Sequence, residues 1–264
     1  MNFLGWFWFI VLALLVGGWA ALVAYTDHLL TQGRYDQALK FISLVFISRL
    51  TRSRLRADTL IAAGRYEEAA GVLRDVFRRV RRSRVTKSAR VKRYFDAEEL
   101  GNLLMETGRF EEAHRFFLYA AQLYPYNSGW ATGMAEVALR QGVPPEDALA
   151  HAEKALNLFQ RGAERVTNRS QLGAILATKA WALAACGREV EAREAIDAAL
   201  QSSVRKTKAP LAQVHYKSGM SLLALSDRGG AVDYFARGAE LDPAGRWGRL
   251  CADALRQQKS SSAS

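Results

Sequence analysis

At 264 residues, half of them hydrophobic, the chain holds enough apolar material for a sizeable core, and 20 Gly against 5 Pro leave long helices open. Two cysteines 65 positions apart, Cys186 and Cys251, with no CxxC spacing, exclude a disulfide-stapled secreted domain and a cysteine-rich metal module. The formal net charge of +11 is not diffuse: Arg49 to Arg93 carries 15 basic and 4 acidic residues, and the rest of the chain is neutral.

The first element is a run of 23 uncharged residues, Phe3 to Tyr25. As a helix it would be roughly 34 Å long, enough for a hydrocarbon core of about 30 Å. Trp6, Trp8, Trp19 and Tyr25 stand toward its two ends, as interfacial aromatic rings do. A cleaved signal peptide is the competing reading, but no basic stretch precedes the run and its length exceeds the usual apolar core of such a peptide. Residues 1–26 are therefore predicted to be an uncleaved transmembrane anchor.

Basic residues follow the span and none precedes it: Arg34, Lys40, Arg49, Arg52, Arg54 and Arg56. That asymmetry predicts an outward N-terminus and a body in the cytoplasm of a bacterial-type inner membrane, with a periplasmic body as the alternative. Ala13, Gly17 and Ala21, four apart, form a small-residue ridge. Such a ridge suits close helix packing in a homodimer or against a membrane partner, although small residues also fill ordinary spans.

After the span a phrase recurs: Gly33-Arg34-Tyr35, Gly64-Arg65-Tyr66 and Gly108-Arg109-Phe110, each followed by an acidic residue and an Ala. A glycine that accepts a left-handed conformation ends one helix, the aromatic packs back on it, and the Ala lets a second helix approach. Acidic residues just after the turn favour the positive end of that second helix. The fold class is thus all-α, a series of helical hairpins, with almost no strand signal.

The third copy, counted from Tyr94, carries Leu100, Gly101, Leu104, Gly108, Phe110, Ala113, Phe117, Ala120 and Pro125. In these positions the chain resembles the tetratricopeptide repeat (TPR) family. A sixth copy matches with Gly219, Leu222, Ala231, Phe235 and Pro243, although Arg228 replaces the usual aromatic. A fourth, from about Ser128, has an enlarged turn at Pro144-Pro145, and a fifth uses Ala180, Leu183, Gly187 and Ala192. The resemblance implies a right-handed α-solenoid of about six hairpins over residues 27–256, followed by a disordered Ser-rich tail, 257–264.

Turn glycines 33, 64, 108, 142 and 187 lie 31, 44, 34 and 45 apart, so two junctions carry about ten extra residues. Both insertions, Arg78–Arg93 and a second within Gln160–Leu172, are predicted to prolong the second helix of their repeat. Phe41 to Ser48 is apolar on nearly every face and is assigned to the second helix of the first repeat, facing core, lipid or a membrane subunit.

The basic insertion, about 74–93, holds ten cations in twenty residues, interrupted only by Asp75. Arg78, Arg79, Arg81, Arg82, Arg84, Lys87, Arg90, Lys92 and Arg93 are predicted contacts for anionic lipid headgroups or an acidic partner. Lipid is favoured because the block follows a membrane span and each basic residue near an anionic surface contributes about 1 kcal/mol. Nucleic acid is the weakest of the three readings, since no interleaved aromatic platform accompanies the charge.

His28, His114, His151 and His215 are scattered, and no HExxH, G-x-S-x-G or phosphate-loop phrase occurs. The expectation is no enzyme, no cofactor and no metal site, with both cysteines as buried thiols and a bond between them as the competing reading. Partner binding, by the resemblance, falls on the groove lined by the first helix of each hairpin: Arg54, Asp58, Glu98, Asn102, Thr132, Glu136, Trp181 and Tyr216. Asn102 would hold an extended backbone, and Trp181 and Tyr216 would receive apolar side chains. The predicted role is a membrane-anchored scaffold or assembly factor, with an accessory subunit of a larger complex or a nucleic-acid adaptor as alternatives.

Overall fold

The computed structural model describes residues 24–44, 47–81, 86–162, 170–203 and 207–261. The predicted anchor, including Ala13, Gly17 and Ala21, lies outside them but for its last residues, 24–26. Among the described residues no helix is long and apolar enough to cross a membrane.

The described chain is all-helical. A helical segment at 24–31 precedes α1 (Tyr35–Leu44), α2 (Arg49–Ala62), α3 (Tyr66–Arg81), α4 (Lys87–Glu106), α5 (Phe110–Leu123) and α6 (Gly129–Gln141). Then come α7 (Pro145–Arg161), α8 (Ser170–Ala185), α9 (Glu189–Gln201), α10 (Lys208–Ala224), α11 (Arg228–Leu241) and α12 (Arg246–Ser261). They pair in series as hairpins: α2 with α3, α4 with α5, α6 with α7, α8 with α9 and α10 with α11. First helices also pack on one another, α4 on α6, α6 on α8, α8 on α10, and make the inner wall.

The hairpin turns share one construction. Gly33, Gly64, Gly108, Gly142 and Gly187 all have positive φ, between 68° and 75°. At Gly108 the glycine N–H donates to the Met105 carbonyl and the following Arg109 N–H to that of Leu104, the paired bonds of a Schellman stop. The turn of the sixth hairpin makes the same bonds at Ser226 and Asp227, and there Ser226, at φ 63°, is the residue in the left-handed region.

Small residues and aromatics set the helix spacing. A Cβ added at either Gly101 or Gly133 would lie within 3.0 Å of the Phe117 ring, so α4 and α6 both close on that one buried side chain. Gly219 stands in the same relation to Phe235 on α11. Full burial of a phenylalanine contributes about 1.5–3 kcal/mol. These contacts hold the two helices of a hairpin together and, at Gly133, join one hairpin to the next.

Along the turn edge, the arginine of three Gly-Arg turns binds the glutamate three residues on. Arg65 donates to Glu68 at 2.6 Å, Arg109 to Glu112 at 2.9 Å and Arg188 to Glu191 at 2.7 Å. Arg65 also reaches Asp36 at 3.0 Å and Arg109 reaches Glu67 at 2.7 Å, each in the preceding hairpin. These exposed pairs set orientation more than stability, since such pairs contribute about 0–1 kcal/mol each.

Four expectations need correction. Each insertion prolongs its second helix only in part: α3 runs 16 residues to Arg81, against 14 in α5, and Thr86 opens α4 by accepting from the Ala89 N–H at 3.1 Å, so Lys87–Arg93 lengthens the next first helix. The second helix α7 ends at Arg161. Phe41–Ser48 is not one helix either, because α1 ends at Leu44 and Ser48 caps α2 through the Thr51 N–H. The C-terminal region is ordered helix through Ser261, because Trp247, Leu250, Cys251, Ala254 and Leu255 form an apolar stripe that packs on α10 and α11. Finally, the two thiols are free, Cys251 buried and Cys186 only partly so, and burial pushes the Cys251 thiol up to about 12.

Candidate functional site

The first helices bring polar side chains together on their inner face. Glu98 and Asn102 of α4, Thr132 and Glu136 of α6, and Gln171 of α8 with Gln213 of α10 line a cleft of about 240 Å³. Regular spacing explains the convergence: 98 and 102, like 132 and 136, are i and i+4 on one face of their helix. Four of the eight predicted groove residues therefore share one site.

The cleft floor is held by a short polar chain. Tyr94, fully buried, donates its hydroxyl to the Asn127 side-chain oxygen, which also accepts from the Gly129 N–H at 2.8 Å. A side chain at Gly129 would collide with the Glu98 carboxylate and the Tyr94 hydroxyl, so glycine there keeps the floor open. The cleft thus presents amide and carboxylate donors and acceptors, and among the described residues no group of three His, Cys, Asp or Glu converges to hold a metal.

Behind the cleft the inner face is closed by α12. Arg246 donates to Glu106 at 2.8 Å and to the Asn102 carbonyl at 3.3 Å, and Arg140 meets Glu106 at 3.4 Å. One turn on, Arg249 donates to the carbonyl of Ile61 at 2.8 Å and to that of Ala62. The last helix thus caps the C-terminal end of α2, across nearly the whole sequence. Trp247 packs on Tyr216 with ring centroids 5.8 Å apart, and Arg246 lies 4.9 Å over the indole.

This closure buries charge. Lys217 is fully buried, donates to the Thr178 hydroxyl at 2.8 Å and pairs with Glu136. Burial lowers the Lys217 pKa against the opposing pull of Glu136. For Glu106, burial alone would raise the carboxyl, but Arg246 and Arg140 together hold it below the usual range. Lys217, Arg140, Arg246 and Arg249 were not predicted site residues. A lone Lys or Arg in a helix reads as solvated surface, and its partner lies 34 to 188 positions away.

The remaining predicted groove residues lie elsewhere. Trp181 and Tyr216 are buried, Tyr216 beneath Trp247, so neither stands open to receive a partner's side chain. Arg54 binds Asp96 through both carboxylate oxygens, at 2.9 and 2.8 Å, on the wall of a second cleft. Asp58 keeps an exposed side chain, yet surrounding protein and then the charge of Glu99 raise its pKa.

That second cleft, about 680 Å³, is basic: Arg49 and Arg54 of α2, Arg79 of α3 and Lys92 of α4 line it beside Leu50 and Val80. Of the predicted lipid contacts, Arg78, Arg79, Arg90 and Lys92 are exposed, with Arg78 also 3.5 Å from Asp75. Arg93 is a correction, being 4% exposed, because its position falls on the face of α4 that carries buried Tyr94, Ala97 and Leu100. Arg82 and Arg84, and the side chains of Arg81 and Lys87, lie outside the described residues.

No protein-family model and no curated protein matches the sequence. Solved structures do match in shape. A Rap protein complexed with competence and sporulation factor is similar at a TM-score of 0.55 and 15% identity, over 92% of this chain and 71% of that one. The Cut9–Hcn1 hetero-tetramer of the APC/C is similar at 0.54 and 16% over 90% of this chain, which spans 42% of that chain. TTC0263, a thermophilic TPR protein of Thermus thermophilus, is similar at 0.53 and 18%, over 78% of this chain and 98% of that one. With the Schellman turns and the glycine-to-aromatic closures, these likenesses give the chain a TPR-like helical-repeat fold.

Proposed function

We propose that this protein is a scaffold or assembly factor that holds other proteins in the polar cleft of its inner face, tethered to a membrane by its N-terminal apolar run. The observation that carries the reading is the convergence of Glu98, Asn102, Thr132 and Glu136 with Gln171 and Gln213 in one open cleft on the repeat wall. Side chains of this kind bind an extended peptide through its backbone and tolerate many sequences. Two of the similar structures are a hetero-tetramer and a protein complexed with a factor, which supports binding as the use of such a wall.

The tether rests on the uncharged run at 3–25, and the orientation on the basic residues that follow it. The body then lies on the cytoplasmic side, with its basic first helices toward anionic headgroups. Small residues at 13, 17 and 21 offer a place for a second anchor, in a homodimer or a larger membrane complex. Catalysis and nucleic-acid binding form no part of this proposal.

A photo-activatable side chain placed at Thr132 in intact membranes tests the groove, with one at Arg237 on the outer helix α11 as control. Adducts to distinct proteins from position 132 and none from 237 are expected. Equal labelling from both positions, or none from 132, would remove the cleft as the binding site. Protease protection of the C-terminal tail in sealed inverted vesicles reads the orientation: digestion supports the cytoplasmic body, and protection reverses it.

A further inference from the structure

The cleft between α2, α3 and the start of α4 is built unlike the polar one on the inner wall. Arg49, Arg54, Arg79 and Lys92 bring four cations to one concavity of about 680 Å³, and among the described residues no acidic side chain lines it. Arg54 is committed to Asp96 by two hydrogen bonds, and Asp96 also feels Lys92, so one carboxylate offsets part of the cluster and an excess of cations remains. Thr86, the N-cap of the 20-residue helix α4, and Ala89 in its first turn are on the same wall. The positive end of that helix therefore adds to the field of the side chains.

Leu50, Val80 and Ala89 supply apolar lining between the cations. A free anion needs only the charges, whereas an amphiphile uses both linings. A solvated helix face mixes acidic with basic residues, and here the basic residues of three helices line one open hollow instead.

We infer that this cleft is a discrete binding site for a phosphate-bearing amphiphile, the headgroup and glycerol region of an anionic phospholipid. Arg49, Arg79 and Lys92 hold the phosphate, and Leu50 and Val80 meet the first carbons of the chains. The site deepens the membrane reading above, on which it rests for its source of ligand. It makes the contact a stoichiometric one rather than a general attraction of charge to a surface.

The test titrates the full chain, solubilised in a nonionic detergent, with monodisperse short-chain phosphatidylglycerol, short-chain phosphatidylcholine and inorganic phosphate, by calorimetry. Saturable one-to-one binding of phosphatidylglycerol is expected, with phosphatidylcholine and inorganic phosphate each at least about tenfold weaker. Arg79→Glu with Lys92→Glu should weaken phosphatidylglycerol by roughly tenfold or more, since each charge near an anionic lipid counts for about a fivefold change. Reversal of two remote charges, Arg228→Glu with Arg237→Glu, should leave it unchanged, and the milder Arg79→Gln with Lys92→Gln repeats the test if the reversed pair fails to fold.

Equal weakening by the remote pair, inorganic phosphate binding as tightly as the lipid, or no saturable binding would each overturn the inference. Flotation of the full chain with vesicles of phosphatidylcholine alone reads the tether separately. A chain that binds the soluble lipid but does not float keeps the cleft and loses the anchor.

Discussion

The two halves of the inner wall are made of the same helix face and end in opposite states. From α4 to α6 the face is an open cleft in which Glu98, Asn102 and Thr132 are partly exposed. Past Gln213 on α10 the equivalent face is covered, and Lys217, Tyr216 and Ser218 are buried. The difference is α12, an unpaired first-type helix whose Arg246, Trp247 and Arg249 reach back over the wall. A groove residue's role is thus set by whether a later element covers it, and the covered half becomes core at the cost of burying ions.

The largest effect should come from breaking the buried pair that joins the two halves, Lys217 of α10 with Glu136 of α6. Lys217→Met leaves Glu136 in a protein interior without its cation, and such half-pairs typically cost about 3–5 kcal/mol. Replacing both, with Glu136→Leu added, should recover most of that loss, because the orphaned charge goes with its partner. Chemical denaturation followed by far-ultraviolet circular dichroism reads both. A single variant as stable as the parent would mean that α12 does not seal the wall.

Acid should loosen the same closure. The Glu106 carboxyl is held low in the folded chain, so the folded state binds its proton less readily than the unfolded one, whose value is near 4.3. The stabilisation is complete above that value and fades as pH falls through the folded one. Melting temperature should therefore drop on acidification, and Glu106→Gln, already less stable, should drop less steeply. Parallel slopes would remove Glu106 from the cause.

In the open half the test is steric. Gly133→Ala pushes a methyl into the Phe117 ring and should cost about 1–3 kcal/mol, as overpacked cores do. Phe117→Leu in the same chain should lose less than the two single changes summed, since the smaller side chain makes room for the methyl. Strict additivity would show that α4 and α6 do not meet on that ring.

Much of the fold was legible in residues. The Gly-Arg-aromatic phrases located the hairpins, and all five predicted turn glycines have positive φ. The groove positions that the resemblance implied on α4 and α6 fall together in one cleft, the other four predicted groove residues outside it. Legibility failed at long range. Trp181 and Tyr216 look like groove aromatics when each repeat is read alone, and only the return of α12 explains the burial of Tyr216. The signal for α12 was present in the apolar stripe from Trp247 to Leu255, yet the neighbouring Ser-rich run suggested a loose tail. The partners of Lys217 and Arg249 had no local signature at all.

The smallest expected change is a gain, at the one hairpin turn where the repeat phrase lapses. Ser226 occupies the left-handed position that glycine holds in five other hairpins, and Asp227, next to it, caps α11 by accepting from the Gly230 N–H at 2.9 Å. An L-residue there is disfavoured by roughly 1 kcal/mol, while glycine is not. The Ser226 N–H still bonds the Leu223 carbonyl, a backbone link that glycine keeps. Ser226→Gly should therefore raise unfolding stability by somewhat less than about 1 kcal/mol, because glycine also gains freedom in the unfolded chain. The same change at Ser221, a buried serine inside α10 whose hydroxyl donates to the Lys217 carbonyl, should destabilise instead. If both variants lose stability, the left-handed turn at 226 is not the stop that α10 uses.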